Sequence, residues 1–368
     1  MVEWKKLVAV SDVLYGYPFE SSQFSEDSTY MPLIRIRDVK PAKASTYYSG
    51  EFNEAYRIKK GDILVGMDGE FNLGKWDDRD GLLNQRVLKL KGKDGYSIDG
   101  YLFHYMGPVF KKIEKETAGG SVKHLSAKVI NSILIPIPSL EEQTRIVGIL
   151  DTFTSAIDNL KEQIAQRRKQ YEYYRDQLLD LEGKEGVEMK TLGEVGDVCM
   201  CKRIMKEQTS ENEEIPFFKI GTFGSQADAF ISRDLFEEYK SKYSYPKKGE
   251  ILISASGTIG RSVVFDGEDA YYQDSNIVWI ANDEKVVTNR YLYYFYQVAD
   301  WKVDGGTIKR LYNYNLKNTT IPLPPLQEQQ RIVSILDTFE ASIQNLEAQL
   351  SQREKQYEYY RNKLLTFE

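Results

Sequence analysis

A glycine- and lysine-containing turn in the first part of this 368-residue chain has the outline of a nucleotide-binding loop. The segment Gly69-Glu-Phe-Asn-Leu-Gly74-Lys75 follows an apolar run, but Trp76 stands where such a loop needs the Ser or Thr that binds Mg²⁺. The second half has only Gly257-Thr-Ile-Gly-Arg261 at the corresponding place. Contact of Lys75 and Arg261 with DNA phosphates suits both turns better than nucleotide binding does, and plain turns with solvated cations are the alternative.

Other groups that could do catalysis are few. The two histidines, His104 and His124, both lie in the first half, so no histidine-based site is duplicated. Cys199 and Cys201 are too close together for a zinc knuckle and have no second pair. The adenine-methyltransferase pattern (Asn or Asp, two prolines, an aromatic residue) is missing, because a leucine follows Pro324-Pro325. These patterns predict no metal, no cofactor and no catalytic centre in this chain.

The elements that position these residues come from an internal duplication. The segments that begin Ile135-Pro-Ile-Pro and Ile321-Pro-Leu-Pro are identical at about 30 of 48 positions, without a gap and at a constant offset of 186. Each segment is typical of one long helix that follows a proline-rich stop.

Apolar residues in both helices alternate four and three positions apart, which is the seam of a heptad coiled coil. The seam begins Ile146, Leu150, Phe153 in one copy and Ile332, Leu336, Phe339 in the other. An arginine, Arg167 or Arg353, interrupts each seam, either as a constraint on register or as a long side chain that leaves the seam. A pseudo-two-fold relation between the halves predicts that the helices, each about 60 Å long, pair antiparallel with the globular domains at opposite ends.

The globular segments, residues 1–140 and 187–325, share only a skeleton. Both contain a strand phrase, Lys60-Gly-Asp-Ile-Leu-Val65 and Lys248-Gly-Glu-Ile-Leu-Ile253, and both end near a double glycine, Gly119-Gly120 and Gly305-Gly306. Short apolar runs bounded by Gly, Asn and Asp predict mixed α/β domains, so we expect an α+β fold. The two helix sequences are still similar, whereas the sequences of the two domains have diverged. This difference indicates that the two domains recognise different targets.

Cations that follow the double glycines are the first candidates for DNA contact. Lys123 and His124 match Lys309 and Arg310 in the second half. The exchange of His for Arg favours a hydrogen-bond donor to phosphate over a catalytic base. Ordinary surface cations are the alternative.

A loop of the second half supplies further candidates. Lys202, Arg203 and Lys206 lie near its tip, where cations suit the edges of bases. Thr222 either contacts a thymine methyl group or packs in the core, and we expect Phe223 to lie in the core.

Apolar residues off the seam form a second kind of candidate surface. A two-helix seam does not cover them, so they either dock a partner protein, which we favour, or pack against the globular domains. These residues are Val147, Ile149, Leu179, Val333, Ile335 and Leu365.

Three features together resemble the specificity subunit of type I restriction–modification systems over the full chain. They are the order domain, helix, domain, helix, the motif IP(I/L)P-x-L-x-EQ-x-RIV-x-ILD that begins both helices, and the stretch Ile215-Pro-Phe-Phe-Lys-Ile-Gly-Thr-Phe-Gly224. The resemblance implies recognition domains at residues 1–140 and 187–325, spacer helices at 141–182 and 326–368, and a linker at 183–186. It also implies that Tyr17, Phe19 and Lys219 lie near DNA.

By the same resemblance, each domain reads one half of a split, asymmetric DNA site in the major groove. The helices would set the unread gap and dock two methyltransferase subunits, which bind S-adenosylmethionine and methylate adenine. A translocating endonuclease subunit could join them. Half-site centres near one helical turn apart suit a stiff spacer of this kind.

The charge of the chain is unusual for a DNA-binding protein. The net charge is −6, with about +2 on residues 1–140 and about −3 on residues 187–325. Because neutralised phosphates supply much of DNA affinity, we expect a partner to supply many of those contacts. A duplicated scaffold that binds proteins, and a nuclease or NTPase, remain alternative functions. The absence of an apolar run of eighteen residues and of a signal peptide predicts a cytoplasmic protein.

Overall fold

The computed structural model describes residues 2–117, 123–305 and 309–367. It divides into two compact units, Met1–Lys161 with Ala348–Glu368, and Glu162–Glu347. Each unit holds one globular part and a segment of each long helix; we call the globular parts the first head (residues 2–137) and the second head (residues 188–323). The predicted glycines at 119, 120 and 306 lie outside the described residues.

Two sheets and a two-stranded ribbon form the first head. The ribbon pairs β1 with β11, one sheet has the order β2-β10-β7-β8, and the other has the order β3-β5-β4-β9-β6. In chain order the elements are β1 (Glu3–Lys6), α1 (Leu7–Val10), β2 (Ser11–Tyr15), β3 (Phe24–Ser25), β4 (Met31–Ile34), α2 (Ile36–Val39), β5 (Tyr47–Tyr48), β6 (Arg57–Ile58), β7 (Ile63–Gly66), β8 (Leu73–Lys75), β9 (Gly81–Leu83), β10 (Val87–Gly92), α3 (Asp99–Glu116), α4 (Ala127–Ser132) and β11 (Leu134–Ile137), after which α5 (Leu140–Leu179) begins.

The second head repeats this plan. Its ribbon pairs β12 with β20, its main sheet has the order β13-β19-β16-β17, and a third sheet has the order β15-β14-β18. Its elements are β12 (Glu188–Thr191), α6 (Leu192–Val195), β13 (Gly196–Cys199), β14 (Ile215–Phe218), β15 (Phe230–Ile231), α7 (Arg233–Lys242), β16 (Ile251–Ser254), β17 (Ser262–Val264), β18 (Tyr271–Tyr272), β19 (Ile277–Asn282), α8 (Asn289–Tyr296), α9 (Asn313–Asn318) and β20 (Thr320–Leu323), followed by α10 (Leu326–Leu365). The predicted α+β fold is confirmed.

The two predicted strand phrases form the centres of the main sheets. β7 and β16 are buried along their whole length and lie between two other strands of their sheets. Continuous apolar runs are typical of such strands because neither face meets water. The parallel pair β4 with β9 recurs as β14 with β18, so the duplication extends through the heads.

The long helices run antiparallel within each unit, as the sequence predicts. In the first unit the Phe153 ring stacks on the Tyr360 ring at 5.2 Å, and in the second the Tyr174 ring stacks on Phe339 at 5.4 Å. The Arg167 guanidinium stays at the seam, 5.9 Å from the centre of that Phe339 ring, which is a cation–π contact. Arg353 instead donates to Gln356 of its own helix.

A buried glutamine joins the start of each long helix to its head. The side chain of Gln143 donates to the carbonyl oxygens of Tyr96 and Pro138 and accepts from the Ile98 N–H. Gln329 makes the same three kinds of bond in the second unit. Both side chains are fully buried, which explains why the EQ pair recurs in the helix-entry motif.

Gln143→Ala is expected to destabilise the first unit, and Gln329→Ala the second. Each change leaves a buried N–H and two carbonyl groups without their partner. Because each such group costs about 1–3 kcal/mol, we expect the free energy of unfolding to fall by about 2–4 kcal/mol in guanidinium titrations. Gln166→Ala, on the exposed face of α5, is the control. Equal stability of all three variants would contradict this account of the motif.

Candidate nucleic-acid interface

The turn before the last strand of each main sheet lines an open cleft with both polar and apolar side chains. In the first head this turn is residues 84–86, between β9 and β10, and the cleft has a volume of about 640 Å³. In the second head the turn is residues 273–276, between β18 and β19, and the cleft has about 530 Å³. Since β10 and β19 occupy the same place in their sheets, the two clefts correspond. We call them the first cleft and the second cleft.

Three arginines give the first cleft its positive charge. Arg37 donates to the hydroxyls of Ser45 and Thr46 at 2.9 and 2.7 Å, and the Arg35 guanidinium lies 5.9 Å from the centre of the Phe24 ring. The third arginine, Arg86, is 3.3 Å from the Asp68 carboxylate. Because such contacts hold the guanidinium groups in place, little side-chain entropy remains to be lost when a ligand binds.

The second cleft carries a different set of cations at its rim. The Nε of Arg203 donates to the Asp274 carboxylate at 3.0 Å, and Arg310 donates to the Ser275 carbonyl oxygen at 2.6 Å. Lys219 is paired with Asp228 at 2.8 Å. The two heads therefore present different chemistry at the same place on the same framework.

Each cleft also contains a side-chain amide whose orientation is fixed. Gln273 accepts the backbone N–H of Ile220 at 3.0 Å, and Asn84 accepts that of Gln85 at 2.9 Å. A backbone N–H can only donate, so these contacts identify the oxygen of each amide and leave its NH₂ group available. With the arginines, these groups make both clefts rich in donors, which suits the O6 and N7 acceptors of guanine and the oxygens of phosphate.

The predicted match between His124 and Arg310 is reproduced in space. His124 forms a β-bridge with Asp68, and Arg310 forms one with Ser256. The His124 ring is 2.5 Å from the Asp68 carboxylate, which also pairs with Arg86, and Arg310 lines the second cleft directly. Both residues therefore support a cleft.

Their neighbours lie differently. Lys123 is 3.7 Å from the Glu114 carboxylate, and Lys309 is exposed. Contact of either lysine with DNA stays a prediction.

Glu70 and Asn72 of the first glycine turn line the first cleft, but Lys75 does not, and the second glycine turn does not line the second cleft. Lys75 lies 4.7 Å from the centre of the Phe103 ring and 3.8 Å from Asp151 of α5. Arg261 donates to the Phe223 carbonyl oxygen at 2.9 Å and so joins its turn to the loop between β14 and β15. A side chain at Gly74 would lie 2.3 Å from the Val39 oxygen, so this glycine is needed for close packing. Trp76 is buried, with its indole N–H on the Arg79 carbonyl.

Of the two predicted aromatic residues, Tyr17 is 47 % exposed, whereas Phe19 is only 7 % exposed and packs against Tyr48 and Tyr56. Phe19 nevertheless lines the first cleft together with Phe24. Contact of Tyr17 and Phe19 with DNA stays a prediction.

Of the predicted loop residues of the second head, some line the second cleft and others make contacts elsewhere in the head. Arg203 and Lys206 line the second cleft, while Lys202 lies over the Tyr243 ring at 5.1 Å. Thr222 makes both of its hydrogen bonds to the backbone of Lys219, so it stabilises a turn. Phe223 is buried, as predicted.

Comparison of the halves reveals cleft residues that the sequence patterns did not indicate, namely Arg35, Arg37, Asn84, Arg86 and Gln273. They lie in turns or at the start of a short helix, where no periodicity marks them. The signal that could have found Asn84 and Arg86 is the alignment of Val87 with Ile277, which places residues 84–86 opposite residues 274–276.

The off-seam apolar residues pack mostly within their own units, which corrects the partner-docking prediction for four of them. Leu179 is buried in the core of the second unit, and Val333 packs against that core. Val147 and Leu365 pack against the first unit's cluster around Tyr101. Ile149 and Ile335 are half-buried and belong to no core cluster formed by the described residues, so they remain candidates for docking.

The cysteines are placed for packing. Cys201 is buried, and burial raises the pKa of its thiol to about 12; burial also raises the pKa of Cys199. Within the part of the chain that the structure describes, no three His, Cys, Asp or Glu side chains converge to hold a metal ion. None of the helices in residues 2–117, 123–305 and 309–367 has both the length and the apolar character needed to cross a membrane.

Comparison with known proteins matches this chain along its whole length. The family described as type I restriction modification DNA specificity domain matches twice, over residues 1–167 and 184–354. A putative type I restriction enzyme specificity subunit of Haemophilus influenzae is 43% identical, over 100% of this chain and 96% of the relative. The EcoBI specificity subunit of Escherichia coli is 26% identical, over 93% of this chain and 80% of the relative.

Solved structures agree in fold. The S subunit of a type I restriction–modification system from M. genitalium superposes with a TM-score of 0.62 at 17% identity, covering 100% of this chain and 97% of the other. A chain from a structural study of the assembly and conformational transition of the type I system gives 0.57 at 19% identity, covering 99% and 96%.

Proposed function

The chain belongs to the family of type I restriction–modification DNA specificity subunits, and on this premise we propose that each of its heads reads one half of a bipartite, asymmetric DNA site. The recognition domains are residues 1–140 and 187–325. The helices between and after them set the unread gap and dock two methyltransferase subunits, which bind S-adenosylmethionine and methylate adenine. A translocating endonuclease subunit is a further partner.

One observation carries this proposal. The two clefts occupy the same place on a duplicated framework, yet they are lined by different residues. Arg86, in the turn of the first cleft, pairs with Asp68, whereas Arg203, in the loop after β13, pairs with Asp274 in the turn of the second cleft. Arginine and side-chain amides are the groups that distinguish base edges in the major groove. A shared frame with divergent linings is what two independent readers of unlike half-sites require.

We infer that the chemistry belongs to the partner subunits. His104 is buried, and the His124 ring is held by Asp68. The Cys201 thiol is protonated at neutral pH, because burial raises its pKa. These groups support packing and positioning, and a general base must instead reach its substrate.

The proposal is tested by adenine methylation in cells that carry this chain with a type I methyltransferase subunit. We expect methylation at a single bipartite sequence when both proteins are present, and none with either protein alone. Methylation or cleavage of DNA by the purified chain alone would overturn the division of labour. Methylation without any sequence preference when both proteins are present would overturn the reading role of the heads.

Salt dependence separates DNA reading from the alternative of a protein-binding scaffold. The chain carries a net charge of −6, so it neutralises few phosphates by itself. We expect the chain alone to bind DNA weakly, and its complex with methyltransferase subunits to lose affinity steeply with salt, with a slope of about −0.9 per phosphate contact. Fluorescence anisotropy over a range of salt concentrations measures both. A salt-independent complex, or one without DNA affinity, would favour the scaffold.

A further inference from the structure

A carboxylate at the same place in both long helices holds the head of its unit. Asp151 of α5 and Asp337 of α10 are 186 residues apart and belong to the duplicated helix motif. In the first unit the Nε2 of His104, on α3, is 2.7 Å from Asp151. In the second unit the hydroxyl of Tyr294, on α8, donates to Asp337 at 2.6 Å. The carboxylate is common to both, but its partner differs.

His104 and Tyr294 occupy corresponding positions. Each lies three residues after a buried tyrosine, Tyr101 or Tyr291, whose hydroxyl donates to a proline carbonyl in the last strand of its head. Those prolines, Pro136 and Pro322, are again 186 residues apart. The two heads therefore present different donors from the same turn of the same helix.

The first cluster is a chain of hydrogen bonds around the buried His104 ring, in which Asp151 and Tyr357 are half-buried. A carboxylate only accepts, so the Nε2 of His104 carries the proton, and its Nδ1 accepts from the Tyr357 hydroxyl of α10 at 3.0 Å. Burial lowers the pKa of His104 more than the bond to Asp151 raises it, and the ring is therefore neutral at pH 7. Lys75 and Arg361 are the cations that face it. The head is thus tied to both helices of its unit.

The second cluster uses a fixed charge. Arg290 donates to Asp337 at 2.7 Å and also pairs with Glu340, one turn further along α10. The first unit has Gly100 in the place of Arg290 and Thr154 in the place of Glu340. Neither of these residues carries a charge, so the first unit lacks both partners of this ion pair. Both halves have kept a donor to the helix carboxylate although the rest of the cluster changed.

Two hydrogen-bonded points along one helix fix the angle of the head more tightly than one such point does. Gln143 binds the head at the start of α5, and Asp151 binds it eight residues later, about 12 Å along the helix. Between these two points Ile146, Val147 and Leu150 pack against Tyr101 of the head. Because apolar packing is not directional, loss of the second hydrogen-bonded point would let the head swing by a small angle over this surface. Over a lever of about 20–25 Å, a swing of about 8–10° displaces a cleft by about one base-pair step.

We propose that Asp151 and Asp337 are positioning residues that fix the angle of each reading head and thereby the length of the unread gap. This inference rests on the proposed function. It assigns gap selectivity to two attachment points on each helix as well as to the length of the helices.

The sharpest test compares two variants that differ in one hydroxyl. His104→Tyr keeps a donor to Asp151, as Tyr294 does for Asp337, whereas His104→Phe removes it. In complexes with methyltransferase subunits, methylation is measured on duplexes whose gap is the native length or one base pair shorter or longer. We expect His104→Tyr to keep the native preference and His104→Phe to lose about ten-fold or more of it, the factor of one hydrogen bond to a charged group. Asp158→Ala, an exposed carboxylate of α5, is the control.

Two outcomes overturn the proposal: equal gap preference in His104→Phe and His104→Tyr, or a change in the control as large as in His104→Phe. A wild-type complex without any bipartite target would instead contradict the proposed function, so the two failures are distinguishable.

A second measurement needs neither DNA nor partner subunits, so it also applies to a variant that does not form the complex with methyltransferase subunits. Spin labels at the exposed residues Glu172 and Ser241 report the distance between α5 and the second head within one unit. Asp337→Ala should broaden this distance distribution, and Asp337→Asn, which keeps an acceptor for Tyr294, should broaden it less. A distribution as narrow as that of the parent in both variants also overturns the proposal.

Discussion

A chain that carries the second half twice is expected to direct methylation to an inverted repeat. The variant consists of residues 187–368, the linker of residues 183–186, and then residues 187–368 again. Because the helices pair antiparallel in each unit, two identical heads would meet DNA in opposite orientations and read the same half-site on opposite strands. The asymmetric target should disappear, and the gap should keep its length.

The contacts of the second head support this outcome. Its core packs against Tyr171, Leu178 and Leu179 of α5. The same residue types recur 186 positions later in α10, as Tyr357, Leu364 and Leu365, so a second copy of α10 supplies the surface that this head needs.

Methylation maps of cells that carry the duplicated chain measure the result. The reciprocal chain, with residues 1–182 twice and the same linker, is the control and should yield the inverted repeat of the other half-site. If either chain still modified the original asymmetric sequence, one head would not read one half, and the modular function would be wrong.

The duplication and the helices could be predicted from the sequence because their signals are local. Seam residues such as Ile146 and Leu150 repeat every three or four positions, and the structure buries both completely. The antiparallel direction followed from symmetry, since two copies of one sequence pair most simply about a two-fold axis. Neither prediction depended on how the heads fold.

The clefts could not be predicted in this way, because long-range strand pairing creates them. Asn84 reaches its place because β9 pairs in parallel with β4, about 50 residues earlier in the chain. Arg35 faces the same cleft because it follows β4 directly. Neither residue belongs to a periodic pattern, and arginines and asparagines in turns are common on any surface.

The off-seam apolar residues show a second limit of sequence patterns. Periodicity identifies Leu179 and Val147 as apolar residues outside the seam, but it does not say what covers them. In the structure their own heads do, since Leu179 joins the second unit's core and Val147 packs beside Gly100. The same heads supply His104 and Arg290, whose contacts to the helices no motif indicated.

Alanine at Arg86 or at Arg203 is expected to relax one half of the target and leave the other half unchanged. Each guanidinium lines its cleft, and a bidentate contact with guanine is worth about 1–3 kcal/mol, or about 5–150-fold in discrimination. Competition binding of the complex to duplexes with single substitutions in either half-site measures the change. Arg145→Ala is the control, because this helix arginine pairs with Glu142 away from both clefts.

The pattern across positions decides what each arginine does. Loss of discrimination at one or two positions of a single half-site indicates contact with a base edge. A uniform loss of affinity over all sequences, with a shallower salt slope, indicates contact with phosphate, because phosphates are alike at every position. If both alanine variants bound every duplex as the parent complex does, the clefts would not be the reading surfaces. The loop around Tyr17 in the first head and the loop around Lys202 in the second head would then be the next surfaces to test.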